Sequence, residues 1–204
     1  MLHLRIRPVV MQVSVFHDMR LCTDEEVARL LPLVSAQRRE QALRFRHTFG
    51  RFACLKSYLM LAELLSVKGE LPDFSYNQYG KPQLAGVEFS ISHCRNAIAV
   101  AVNDTPVGID VECFRSADSA LVDRTMNSAE AEAVYSAERP EEMFAMLWTR
   151  KEAVLKCRGT GIVDDLHSVL LGEEHVESLL DREHGYALST AVGSICKELP
   201  DVER

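Results

Sequence analysis

From Pro106 to Glu112 the chain reads Pro-Val-Gly-Ile-Asp-Val-Glu, "PVGIDVE". Side chains alternate along an extended backbone, so Val107, Ile109 and Val111 share one face and Gly108, Asp110 and Glu112 the other. The apolar face predicts a β-strand laid on a core. The two acids would stand about 7 Å apart on one side and repel unless a positive group lies between them. Gly108, lacking a Cβ, leaves space on that face for a ligand. Two readings of the acidic face are open. One is a solvated edge strand. The other is a site for a hard cation such as Mg²⁺, which prefers carboxylate oxygens and completes its shell with water and substrate phosphates.

Further along, Trp148–Lys156 reads "WTRKEAVLK" inside a helix predicted over Glu141–Arg158, which Gly159 ends. Glu152 and Lys156 lie one helical turn apart on the same face. They form either a surface ion pair worth a few tenths of a kcal/mol, or a third carboxylate beside a phosphate-binding ammonium. Trp148, the single tryptophan, suits a helix anchor under both readings. Lys151 is open between support and solvent.

Upstream, "VEFSISH" alternates and predicts a strand that carries Ser92 and His93 at its end. Those side chains are either structural or donors to a nearby phosphate. "AIAVAV" (Ala97–Val102) is a short apolar run that predicts a buried strand. "NQYGKPQLAG" (Asn77–Gly86) is a loop by its Gly and Pro, and it carries Lys81. Val9–Phe16 and Gly185–Val192 predict further strands. Thr23 and Ser35 cap two helices, the second leading into a basic run with Arg38, Arg39, Arg44, Arg46 and Arg51. Arg51–Val67 is strongly helical. Ser128–Ala137 predicts a helix capped by Ser128, and a weaker helix covers Ser119–Met126. The order is mixed α and β, with hairpin-like strand pairs between helices.

The 204 residues suit one large domain or two small lobes, and the balance of 47% apolar to 26% charged residues is that of a globular chain. A formal net charge of −7 argues against a dedicated nucleic-acid binder. The six cysteines have neither C-x-x-C nor zinc spacing, which predicts reduced thiols. The N-terminus is broken by Arg5, Arg7, Pro8 and Gln12, unlike a signal peptide, and no segment is apolar enough to span a bilayer. A cytoplasmic protein with no membrane or nucleic-acid partner is expected.

"QYGKP", "FSISHC", "PVGIDVE" and "LWTRKEAVLKCRGTGI", in that order, resemble the Sfp-type 4′-phosphopantetheinyl transferases. A looser likeness covers "SAQRREQALRF", and the matching region runs from about Ser35 to Ile162. No single motif is specific; their combination and spacing are.

The resemblance implies an α+β fold of two similar α/β lobes related by a pseudo-twofold, here 1–104 and 105–204, with coenzyme A in the cleft. It implies a monomer that moves the 4′-phosphopantetheine arm of coenzyme A onto a serine of an apo acyl or peptidyl carrier protein, releasing 3′,5′-ADP with Mg²⁺ as cofactor. Carried onto this sequence, Asp110, Glu112 and Glu152 are the magnesium carboxylates, and Glu152 is also the general base. Lys156 binds the pyrophosphate and, with Asp110 and Glu152, makes the catalytic set. Ser92 and His93 hold coenzyme A phosphates, Tyr79, Gly80 and Lys81 line the adenine end, and Arg38 and Arg51 take the 3′-phosphate.

The sequence departs from the family at Gln41, where a second lysine is common, and at Cys94, where a small polar residue is usual. Val111 offers no polar ligand, so water would fill any such position. Cys113–Val122, with Phe114, Arg115 and Leu121 expected exposed, is the candidate carrier-docking segment. Competing readings are another Mg²⁺-dependent phosphoryl-transfer enzyme, a hydrolase of coenzyme A-type anhydrides, and a non-catalytic module that binds carrier protein or nucleotide.

Overall fold

The computed structural model describes residues 11–161 and 165–193. The first half runs β1 (Gln12–Phe16), α1 (Asp24–Leu30), α2 (Ala36–Leu43), α3 (Thr48–Leu64), β2 (Ser75–Tyr76), β3 (Pro82–Gln83), β4 (Glu88–His93) and β5 (Ile98–Asn103). The second runs β6 (Val107–Cys113), α4 (Ser119–Thr125), α5 (Ser128–Ser136), α6 (Pro140–Arg158), β7 (His175–Asp181) and β8 (Tyr186–Val192). The fold is mixed α and β. One three-stranded sheet has the order β1-β5-β4 and the other β6-β8-β7, with β2-β3 as a small ribbon. All of these pairings are antiparallel. In both larger sheets the last strand in sequence lies in the middle, and a long helix precedes the hairpin.

β5 explains how the halves meet. Ile98, Val100 and Val102 point into a core built with Phe52, Leu55, Tyr58 and Leu61 of α3 and Phe89 of β4. Ala97, Ala99 and Ala101 point the other way, into a second core with Val107, Ile109 and Val111 of β6 and Leu188 of β8. Small side chains on that face allow a close approach between the sheets. β4 and β6 face each other across the seam, where the hydroxyls of Ser90 and Ser92 accept from the backbone N–H of Ile109 (3.1 Å) and Val111 (3.3 Å). An edge strand that would otherwise expose its donors is thereby satisfied by side chains.

The alternation of "PVGIDVE" holds, but the strand is not solvated: residues 107–111 are all buried. The Gly108 face lies under α6 rather than open to a ligand. A Cβ at Gly108 would overlap the Ala153 carbonyl oxygen and lie 2.5 Å from the Cys157 nitrogen. The glycine is there so that helix and strand backbones can touch.

Helix ends follow the capping chemistry, with one correction. Thr23 and Ser35 accept from the backbone N–H of Glu26 and Arg38. Gly159 closes α6 in the left-handed conformation, φ 70°. The cap of α5 is Asn127, not Ser128; it forms a capping box with Glu130, whose carboxylate accepts from the Asn127 N–H.

α3 begins at Thr48, ahead of the expected Arg51. β1 begins at Gln12, and Val9 and Val10 of that predicted strand lie outside the described residues, as does Ile162. β7 escaped sequence reading because "HVESLLD" is an exposed, polar strand without an apolar alternation. Five cysteines are free thiols and Cys196 lies outside the described residues. No helix among the described residues is long and apolar enough to cross a membrane.

Candidate active site at the seam between the sheets

Lys156 on α6 does not pair with Glu152. Its ammonium reaches across to β6 and β4, donating to Asp110 Oδ1 at 2.6 Å and to Ser92 Oγ at 2.9 Å. Ser92 in turn donates to the same Asp110 oxygen at 2.7 Å. Three elements therefore converge on one carboxylate oxygen. The other, Asp110 Oδ2, is buried and lacks a hydrogen-bond partner among the described residues. A buried carboxylate oxygen without a donor is costly.

Glu112 and Glu152 flank this network, and among the described residues neither side chain has a hydrogen bond. Burial, then the nearby Asp110 charge, raises the Glu112 carboxyl above the ordinary 4.5, while Arg115 and Lys156 partly offset it. Glu152 is raised by the same two causes, with Lys156 opposing. The acids thus repel one another, as "PVGIDVE" implied. Among the described residues, the ligand-type side chains that gather within 4.8 Å of one another are His17, Asp181 and His184, away from this network.

A cleft above the network is lined by Arg38, Ser92, His93, Asp110, Glu112, Glu152 and Lys156, together with Gln41, Phe45, Ser57 and Tyr76. A second hollow runs on beside it past Tyr79, Gly80, Lys81, Leu155 and Gly161, sharing Glu152 and Lys156. Arg38 is 7% exposed. Its guanidinium donates to the Cys54 carbonyl, the Ser57 hydroxyl and the Gln41 amide oxygen, and lies 5.3 Å from the Phe74 ring centre. All three acceptors are neutral, so the cleft carries a positive charge with no carboxylate partner among the described residues. His93 sits at the mouth, edge-on to Phe49 at 5.4 Å. The surrounding protein, then the Lys156 charge, holds its imidazole below the ordinary range.

The "YGKP" loop is fixed by a residue the sequence reading passed over. Asn77 Oδ1 accepts from the N–H groups of Tyr79 and Lys81, and its Nδ2 donates to the Gly159 carbonyl at 2.8 Å. An Asn opening a turn is a recognisable Asx signal, but its grip on the end of α6 is tertiary. Lys81 Nζ approaches the Val107 carbonyl at 3.4 Å, and burial lowers its pKa.

Gln41, where a second lysine was expected, accepts from both Arg38 and the Tyr76 hydroxyl. Arg51 stands apart: it donates to the Phe45 carbonyl and does not line either hollow. Phe114 and Leu121 are half-buried rather than exposed, Leu121 packing on the Val122, Met126 and Phe144 cluster; Arg115 is exposed.

Lys151 is support, not solvent. It is fully buried, pairs with Glu130 at 2.6 Å and donates to the Leu166 carbonyl. Trp148 is half-buried and stacks on Phe144.

A sequence profile of the 4′-phosphopantetheinyl transferase superfamily matches residues 106–194, the half that holds Asp110, Glu152 and Lys156. The chain is 33% identical over 153 residues to 4′-phosphopantetheinyl transferase psf-1 of Bacillus pumilus, covering 71% of this chain and 66% of that protein, just under two thirds. It is 30% identical over 176 residues to 4′-phosphopantetheinyl transferase ffp of Bacillus subtilis, covering 81% and 79%. To 4′-phosphopantetheinyl transferase Sfp of Bacillus subtilis (strain 168) it is 27% identical over 152 residues, 70% and 68% of the two chains. The chain belongs to the 4′-phosphopantetheinyl transferase superfamily, and its relatives are of the Sfp kind.

Proposed function

We propose that the chain transfers the 4′-phosphopantetheine arm of coenzyme A to a serine hydroxyl of an apo acyl or peptidyl carrier protein, releasing 3′,5′-ADP. One observation carries the reading. Lys156, Ser92 and Asp110 meet in a cleft that is also lined by Arg38, a buried arginine with no acidic partner among the described residues. With a cation on its three carboxylates, such a cleft would suit a polyanion bearing a pyrophosphate and a further phosphate.

The carrier serine oxygen bonds to the phosphorus that bears pantetheine. The anhydride P–O bond to the nucleotide breaks, and its electron pair leaves on 3′,5′-ADP. Glu152 takes the serine proton, directly or through water. Lys156 binds the pyrophosphate and follows the charge toward the leaving group. Ser92, once its hydroxyl proton turns from Asp110, and His93 hold phosphate oxygens, Arg38 holds the 3′-phosphate, and Tyr79, Gly80 and Lys81 bound the nucleotide end. Arg51, turned to Phe45, has the weakest claim.

Asp110, Glu112 and Glu152 would hold Mg²⁺. The donor set fits: an orphaned Asp110 Oδ2 and two half-buried glutamates without hydrogen bonds are hard oxygen ligands in want of a cation. Bound there, the ion neutralises charge on the pyrophosphate.

The repeated strand order supports two lobes, 1–104 and 105–204, related by a pseudo-twofold. Exposed Arg115 is the member of Cys113–Val122 best placed to meet an acidic carrier. We infer a monomer acting in the cytoplasm, in keeping with a cleft built from one chain.

The test is intact-mass analysis of an apo carrier protein incubated with the enzyme, coenzyme A and Mg²⁺. A phosphopantetheine-sized mass gain is expected. Coenzyme A breakdown without that gain would point to a hydrolase, and binding without turnover to a non-catalytic module. Asp110→Ala and Glu152→Ala should each reduce transfer by about 10²-fold or more, with unchanged circular dichroism; near-normal transfer by either would overturn the site assignment.

A further inference from the structure

A second group of ligand-type side chains lies outside the cleft. His17 follows directly on β1, and Asp181 and His184 belong to the β7–β8 hairpin, so the group spans the two halves of the chain. One ligand atom from each lies within 4.8 Å of the others. We propose that His17, Asp181 and His184 form a binding site for a divalent transition metal of the Zn²⁺ class, which ties β1 to the β7–β8 hairpin.

The His17 and His184 rings stack with centres 3.8 Å apart and planes 20° from parallel. Imidazole lone pairs lie in the ring plane, so the exposed His17 ring would turn about its side-chain torsions to share an ion with His184. Asp181 accepts from the His184 backbone N–H and contacts its Nδ1, both at 2.9 Å. An ion taking the place of the proton in that contact would lie between His184 Nδ1 and Asp181 Oδ2, with a His17 nitrogen as the third ligand. Asn96 donates to the carbonyls of His184 and Gly185, which fixes the hairpin turn against the first sheet. An open hollow beside the rings, lined by His17, Asn96 and His184, leaves room for water or an exchangeable ligand. Two imidazoles and a carboxylate suit Zn²⁺ rather than Mg²⁺, which takes oxygen ligands. The site shares no lining residue with the cleft, so it is independent of the proposed transferase chemistry.

Titration of the full chain with Zn²⁺, with Mg²⁺ in excess, tests this. One Zn²⁺ bound per chain is expected, with a melting temperature that rises on Zn²⁺ addition and falls back with chelator. His17→Ala, at an exposed residue, and His184→Ala should each weaken binding by about tenfold or more and abolish the Zn²⁺-dependent melting shift, while Asp110→Asn binds as the native chain does. Co²⁺ should give a d–d spectrum without a thiolate charge-transfer band. No Zn²⁺ binding, native affinity in His17→Ala, or a thiolate band would overturn the proposal.

Discussion

Ser92 has all of its hydrogen-bonding capacity in use. Its hydroxyl donates once, to Asp110, and accepts twice, from Lys156 and from the Val111 N–H. It therefore aims Lys156 as well as lining the cleft. The acids beside it are set against stability. Glu112 has a folded pKa above its ordinary 4.5, so the folded chain binds that proton more tightly than the unfolded chain does. Its contribution to stability falls as pH rises from 4.5 through the raised folded value. Glu112→Gln should accordingly melt higher than the native chain at neutral pH in chelator, with the difference vanishing below that window, and should transfer more slowly; thermal melts across pH check the first and rate assays the second. Glu152 must be ionised to act as a base. Transfer should fall on the acid side as the site carboxylates take up protons, and added Mg²⁺ should restore it at a fixed low pH, as pH–rate profiles at several Mg²⁺ concentrations would show.

α6 meets the second sheet over Gly108 at backbone contact, with Ala153 and Cys157 directly above. Gly108→Ala should lower stability by about 3 kcal/mol and reduce soluble yield, measured by urea denaturation, because the obstruction is backbone and cannot rotate away. The far face of the helix is held by Lys151 and Glu130, a buried pair that also closes the cap of α5. Removing one partner leaves the other charge uncompensated, so Lys151→Ala should cost about 3 kcal/mol while Lys151→Met with Glu130→Gln recovers much of the loss; paired denaturation curves test it. At this scale helices with strong caps and period were legible, as in α6 from "WTRKEAVLK" to Gly159. β7 was not, since an exposed edge strand needs no apolar alternation and gains its place from pairing with β8.

Across the whole molecule, the two sheets are stitched by serine hydroxyls from β4 to backbone donors on β6. Ser90→Ala leaves the Ile109 N–H buried and unpaired, and should cost about 1–3 kcal/mol with little loss of transfer per folded molecule. Ser92→Ala should lose activity as well, because it also frees Lys156 and Asp110; urea curves and single-time-point transfer assays separate the two. The motifs alone determined the chemistry available to this chain. Two acids on one strand face, and an acid and a lysine one turn apart on a helix, follow from backbone periodicity, which is local. Only the tertiary structure decided the partners. Lys156 binds Asp110 rather than Glu152, Gly108 serves a helix rather than a ligand, Arg38 is buried against neutral acceptors, and His17 reaches His184. The Lys156–Asp110, Gly108–Ala153 and His17–His184 approaches join residues far apart in sequence, and the packing of sheets and helices on one another fixes distances that no local pattern encodes.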